Sequence, residues 1–371
     1  MPGRKLFLSL FIVLFTAPFA FCQSEALKGV VNNLAFYRQK NDLKYLTLAK
    51  KQVDSLITTK SDSSNIEKNV YKAIVYSSIL YTDSLNKLKQ PADFLPKTTS
   101  LVDWLIKNKK SYKYQAEIAY AKKCLANVYL RMAFDRMRIS DYQNALQLFQ
   151  QAQTYQPGFA RLNAYIAYTD SKLGNLRDAA KYYDSLLGGD TVKTEYAEAA
   201  ASTYKALGDT SKALQIIQKA RKHLPNDKSL LLDEANIYNN KHDYKALEPL
   251  LGPLLDSNPN NAEIAFVAGY CHDQLNHYDR AESLYLRSIE LNSVSFDPVF
   301  NLGLLYLKET VRKRGDAAAN ISRAAQWLER ASDMSPNDTK CLQVLQLIYA
   351  KTGDADKLER VNDKLKQLIN Q

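Results

Sequence analysis

The chain has 371 residues, 46% of them hydrophobic and 24% charged, with only 12 Gly and 11 Pro. That composition excludes a long disordered or low-complexity body, and a chain of this length without internal repetition would divide into two or three domains. The net charge of +11 is unevenly spread: residues 23–125 carry 18 basic and 9 acidic side chains, whereas 126–371 carry 30 of each.

Residues 1–22 read as a targeting segment and not as part of the fold. Arg4 and Lys5 give a positive start, 6–15 is almost wholly apolar, and Ala20-Phe21-Cys22 supplies the small residues of a cleavage site after Cys22 or after Ala20. The apolar run is too short for a membrane span. Phe21 is too bulky for the pattern that precedes a lipid-attachment cysteine. The expectation is an exported chain, periplasmic first, with secreted or outer-membrane-associated as the other placements.

Residues 23–125 predict helical hairpins. Asn41-Asp42 is a polar turn, and Val70, Ile74, Ile79 and Leu80 fall at helical spacing within 65–88. Breaks are expected at Pro91 and Pro96, then a short helix over 100–107 around Trp104. The blocks Lys107-Asn108-Lys109-Lys110 and Lys122-Lys123 suit a solvated helix face, and equally a weak contact with an anionic partner or membrane surface. Nucleic acid is not expected of an exported chain.

From there the chain copies one stretch, 140–157. Counting from Ala145 at a spacing of 34 residues gives Ala179, Ala213, Leu247 and Ala281; four places on stand Phe149, Tyr183, Ile217, Leu251 and Tyr285. Each copy is preceded by a polar turn: Ser140-Asp141, Gly174-Asn175, Gly208-Asp209, His242-Asp243 and Asn276-His277. Pro157, Pro225 and Pro259 close three of the units. Ala167, Ala201, Ala235, Gly269 and Gly303 are the small residues that let paired helices cross closely, and Tyr204, Tyr238, Tyr306 and Tyr349 are the large ones that fill space between pairs. A single hairpin buries only one face, so such units must stack and share a core.

The spacing and these residues resemble the tetratricopeptide repeat, a helix–turn–helix unit. The resemblance implies an all-α, right-handed α-solenoid. The units read as 126–159, 160–193, 194–227, 228–261, 262–295, 296–338 and 339–371, behind an N-terminal cap of about two degenerate repeats in 23–125. In the unit 296–338, Ala324, Ala331 and Pro336 arrive late, so an insertion is placed near 308–317, around Arg312-Lys313-Arg314. It reads either as a lengthened helix with a surface loop or as a small partner-binding feature. The last helix carries Leu358, Val361, Leu365 and Leu368 on one face, as a terminal cap should.

No catalytic motif stands out. There is no phosphate-binding glycine loop, no G-x-S-x-G elbow and no H-E-x-x-H pair. Cys271-His272 with His277 is the one group resembling a metal site, and it lacks a fourth ligand. Neither a metal nor a cofactor is therefore expected, and Cys124, Cys271 and Cys341 read as buried small residues.

The resemblance implies instead that the first helices line a concave groove for a peptide or an extended partner segment. Carried over by register, the groove includes Phe134, Tyr168, Asn236, Asn239, Phe266, Tyr270 and Phe300, with Leu130, Arg138, Lys172, Glu195, Glu198 and Leu304 beside them. Aromatic rings would anchor the partner and the two amides would pair with its backbone. The alternative reading is that the rings only pack between repeats. The reading is a non-enzymatic scaffold or adaptor for a protein partner. A carrier or sensor holding a small ligand or glycan in the same groove is the alternative, and an enzyme site within 23–125 a third.

Overall fold

The computed structural model describes residues 27–188, 192–312 and 315–369. The proposed signal segment and Lys313-Arg314 therefore lie outside the described residues. Among the described residues all regular structure is helical, and they fall into two compact units that divide between Leu173 and Gly174.

The first unit contains α1 (Lys28–Lys40), α2 (Leu43–Ser55), the short α3 (Lys60–Ser64), α4 (Ile66–Thr82), α5 (Phe94–Lys107), a 3-10 turn (Lys109–Tyr114), α6 (Gln115–Arg138), α7 (Tyr142–Tyr155) and α8 (Ala160–Lys172). α1 pairs with α2, α4 lies on α2, α5 and α6, and α6 and α8 flank α7. Two departures from the sequence reading have simple causes. Pro96 does not break a helix: it sits in the first turn of α5, where a missing N–H removes no intrahelical bond. And α6 begins well before residue 126, because nothing in its 24 residues is Pro or Gly. Arg131 of α6 reaches back to α4, its guanidinium donating to the carbonyls of Leu80 and Tyr81 at 2.9 Å each. Those carbonyls end a helix and have no partner within it, so a cation there is doubly favoured.

The second unit contains α9 (Leu176–Leu187), α10 (Thr194–Ala206), α11 (Thr210–His223), α12 (Lys228–Asn240), α13 (Tyr244–Ser257), α14 (Ala262–Gln274), α15 (Tyr278–Leu291), α16 (Phe296–Val311), α17 (Ala317–Met334), α18 (Thr339–Thr352) and α19 (Ala355–Ile369). Each helix packs on the next in chain order, and first helices also meet first helices, α10 with α12 and α14 with α16. The residues inserted in 296–338 lengthen both helices of that hairpin, to 16 and 18 residues, where α14 has 13 and α15 has 14. α13 runs through Pro249 and Pro253. Both are exposed, so the carbonyls they leave unpaired face water.

The polar turns explain themselves at the backbone. Ser140, Gly208, His242, Asn276 and Gly353 all adopt positive φ, between 55 and 82°. This left-handed residue ends the first helix, and the next residue closes it by donating its N–H five residues back: Asp141 to Arg136, Asp209 to Tyr204, Asp243 to Tyr238, His277 to His272 and Asp354 to Tyr349, at 2.8–3.1 Å. In the same step the aspartates start the second helix. Asp141, Asp209 and Asp243 accept from the amides of Asn144, Lys212 and Ala246. Two residues thus end one helix and begin another.

The small and large positions fit together as expected. Ala145, Ala179, Ala213 and Ala281 are fully buried, as are Phe149 and Tyr285. A Cβ on Gly269 would come within 2.8 Å of the Tyr285 ring, and one on Gly303 within 2.7 Å of Leu328, so any larger residue at those crossings would force a buried neighbour to shift. The tyrosines between hairpins do more than fill space. The hydroxyl of Tyr204 donates to Asp184 at 2.7 Å, that of Tyr349 to Glu329 at 2.8 Å and that of Tyr306 to Glu282, while Tyr238 accepts from Gln218 at 2.8 Å. Each joins a first helix to the second helix of the hairpin before it, which satisfies the one polar atom of a ring that is half-buried at Tyr204 and Tyr238 and buried at Tyr306 and Tyr349.

Cys124, Cys271 and Cys341 are free and buried. Burial pushes the Cys124 thiol up to about 11, and those of Cys271 and Cys341 up to about 12, from an ordinary 9.0. A raised pKa means that the native state keeps its proton where the unfolded chain has lost it. The resulting stability is fully present below pH 9.0 and lost as pH rises through about 12. A thiol reagent at about pH 8 should therefore label none of the three until denaturant is added. The melting temperature should fall from pH 9 upwards, less steeply in Cys341→Ala than in wild type. Rapid labelling of Cys124, Cys271 or Cys341 in the native chain would contradict this.

Candidate functional site

The residues expected to line a groove fall in both units. In the first, Phe134 is half-buried and wedged edge-on between Phe149 and Tyr165, with ring centroids at 5.4 and 4.8 Å, so its ring belongs to the packing. Tyr168 is 41% exposed, and the Lys172 ammonium lies over its ring at 5.4 Å.

In the second unit the first helices bring the remaining residues into two columns. Leu232, Phe266 and Phe300 recur at one register position of α12, α14 and α16, and Asn236, Tyr270 and Leu304 at the position four residues on. Asn236 is exposed and Asn239 half-buried. Phe266 and Tyr270 are each half-buried: Phe266 lies against Tyr285 at 5.9 Å, and Tyr270 meets Tyr244 edge-on at 5.9 Å. Phe300 stacks on Phe296 at 5.3 Å. Each ring is therefore packed against another aromatic ring and still partly exposed. Leu232, 39% exposed at the head of its column, was not singled out from the sequence. Its signal is its place 34 residues before Phe266.

A second cluster lies in this unit. His272 near the end of α14, His277 in the following turn and Glu248 on α13 converge. The Glu248 carboxylate is 3.1 Å from His277 Nδ1 and 3.7 Å from His272 Nδ1, and the two Nδ1 atoms are 3.4 Å apart. His272 is buried, and that burial lowers its pKa against the opposing pull of Glu248. The Arg280 guanidinium stands 3.8 Å from Glu248. An open pocket beside the cluster is lined by His272, Asp279, Arg280, Ser283 and Leu284. Of the three residues grouped from the sequence, Cys271 points elsewhere, its thiol donating to the Tyr244 carbonyl at 3.4 Å. Glu248 takes its place. No short motif contains it, because it belongs to the preceding hairpin.

No protein-family model matches the chain. Among solved structures, the C-terminal part of a TPR repeat-containing protein from Cytophaga hutchinsonii is similar at a TM-score of 0.53 and 13% identity, covering 64% of this chain and 95% of that one. The chain folds as a tetratricopeptide-repeat protein. A tetratricopeptide repeat protein from Parabacteroides merdae matches at a TM-score of 0.43 and 18% identity, over 66% of this chain and 98% of its own. The MamA protein matches at 0.41 and 20%, over 45% and 87%. At these identities the likeness concerns the backbone and not the chemistry of any site. No described helix is long and apolar enough to cross a membrane.

Proposed function

We propose that this protein is an exported, non-enzymatic scaffold that holds a segment of a protein partner against the first-helix face of its second unit. The observation that carries the reading is the pair of columns on that face, Leu232–Phe266–Phe300 beside Asn236–Tyr270–Leu304, half-buried apolar rings flanked by amide groups. Rings fixed by packing on one side lose little freedom when a partner covers the other, and amides can pair with an extended backbone. The charge balance of 126–371 favours apolar and hydrogen-bonded affinity over long-range attraction. Export rests on the signal pattern of residues 1–22, and cell fractionation tests it.

Phe266 and Tyr270 also serve the core, so the face is better tested at exposed Leu232 and Asn236. The full chain and its Leu232→Glu/Asn236→Arg variant are each presented to envelope extract. A protein retained by the wild type should be lost by the variant while its helical circular dichroism is unchanged, and moderate salt should leave wild-type retention intact. A weakening of about 2 kcal/mol or more is expected for residues at the centre of such a face. If the variant retains the same protein, or salt and neutralisation of Lys107, Lys109 and Lys110 abolish retention together, the basic region is the contact surface and the proposal fails.

A further inference from the structure

We infer that Glu248, His272 and His277 form a site for a divalent transition-metal ion of the zinc class, clipping one hairpin to the next. The ligand type fits: two imidazoles and a carboxylate are a donor set that such ions take, with a further position left for water or another ligand. So does the geometry. Bonds of about 2.0–2.1 Å at tetrahedral angles put ligand atoms about 3.3–3.4 Å apart, and the three separations here are 3.1, 3.4 and 3.7 Å. A point about 2 Å from all three atoms therefore exists without any backbone movement. The open pocket beside His272 supplies an entry path and room for a fourth ligand.

The repeat register adds an independent argument. The position of His272 is held by Tyr204, Tyr238 and Tyr306 in other units, where the ring reaches back to the preceding hairpin. The position of Glu248 is that of Glu282, which accepts from Tyr306 in the next unit along. The position of His277 is that of Asp141, Asp209 and Asp243, which cap their second helices, whereas His277 makes no side-chain cap bond. In this unit an imidazole–carboxylate contact stands where Tyr306 and Glu282 make a phenol–carboxylate tie, and a helix cap is given up for a second imidazole aimed at the same carboxylate. A histidine is a poor substitute for either role by itself, and the two substitutions make sense together around an ion. The Arg280 guanidinium is 3.8 Å from Glu248, but its side chain is 70% exposed and can swing away.

The test titrates the untagged, metal-free full chain with Zn²⁺ by calorimetry and with Co²⁺ by visible absorption. One equivalent should bind, and Co²⁺ should give the intense d–d bands of a tetrahedral site. His277→Ala and Glu248→Gln should each weaken binding by about 100-fold or more, while His223→Ala, on an exposed residue of another hairpin, should leave it unchanged. Zn²⁺ should also slow hydrogen exchange in α13, α14 and α15 of wild type and not of His277→Ala. That variant lies in a turn and gives up no cap bond, so its fold should survive. Absence of saturable binding at one equivalent, or equal affinity in wild type and His277→Ala, would overturn the assignment.

Discussion

Lys308→Met is expected to destabilise the second unit by about 2–3 kcal/mol, below the roughly 3–5 kcal/mol typical of a fully buried broken pair because the lysine is partly exposed. The reason lies at Asp273, whose side chain is completely buried at the end of α14. Its two carboxylate oxygens accept from the Lys308 ammonium at 2.7 and 2.9 Å, and the Tyr285 hydroxyl adds only a long contact of 3.4 Å. Without the lysine, a charge remains in the core with one weak partner. Methionine keeps most of the lysine stem, so the loss reports the charge and not the packing. Asp273→Asn in the same chain should restore much of the lost stability, because removing both charges removes the uncompensated one. Urea unfolding of the four members of this cycle measures the coupling. A Lys308→Met variant within about 0.5 kcal/mol of wild type would show that water reaches Asp273 and that the pair does not join α14 to α16.

The largest effect should follow from Ala213→Trp. Ala213 has no exposed surface and lies on α11, which packs against α10 and α12. An indole at that crossing must part the helices, at a cost of about 3 kcal/mol or more. The damage should stay local. Helices of the second unit contact their neighbours in chain order, so stability is close to a sum over adjacent hairpins. Hydrogen exchange should rise in α10 through α13 and remain slow around Leu345 and Tyr349 on α18, which belong to a core cluster built from α14 to α19. Even loss of protection along the whole unit would mean that it unfolds as one cooperative block, contrary to the repeat description.

What the sequence determined by itself is everything that recurs. Ala145, Ala213 and Ala281 announce close crossings, and Gly208-Asp209 and its counterparts announce the turns, because the backbone demands the same residue types at the same spacing each time. Local rules were weaker where nothing repeats. Pro96 read as a break, yet it stands in the first turn of α5, since only the position of a proline within a helix decides whether its missing N–H matters. The candidate face was half legible: register placed Phe266 and Tyr270 on first helices, but not which side of each ring would be spent on Tyr285 and Tyr244. The histidine cluster was legible only in its local part. His272 and His277 are close in sequence, whereas Glu248 is carried to them by the packing of α13 on α14. Periodicity records what every hairpin must do to stack. Only the tertiary structure decides what a single hairpin does differently, because that depends on side chains from two neighbouring units meeting once.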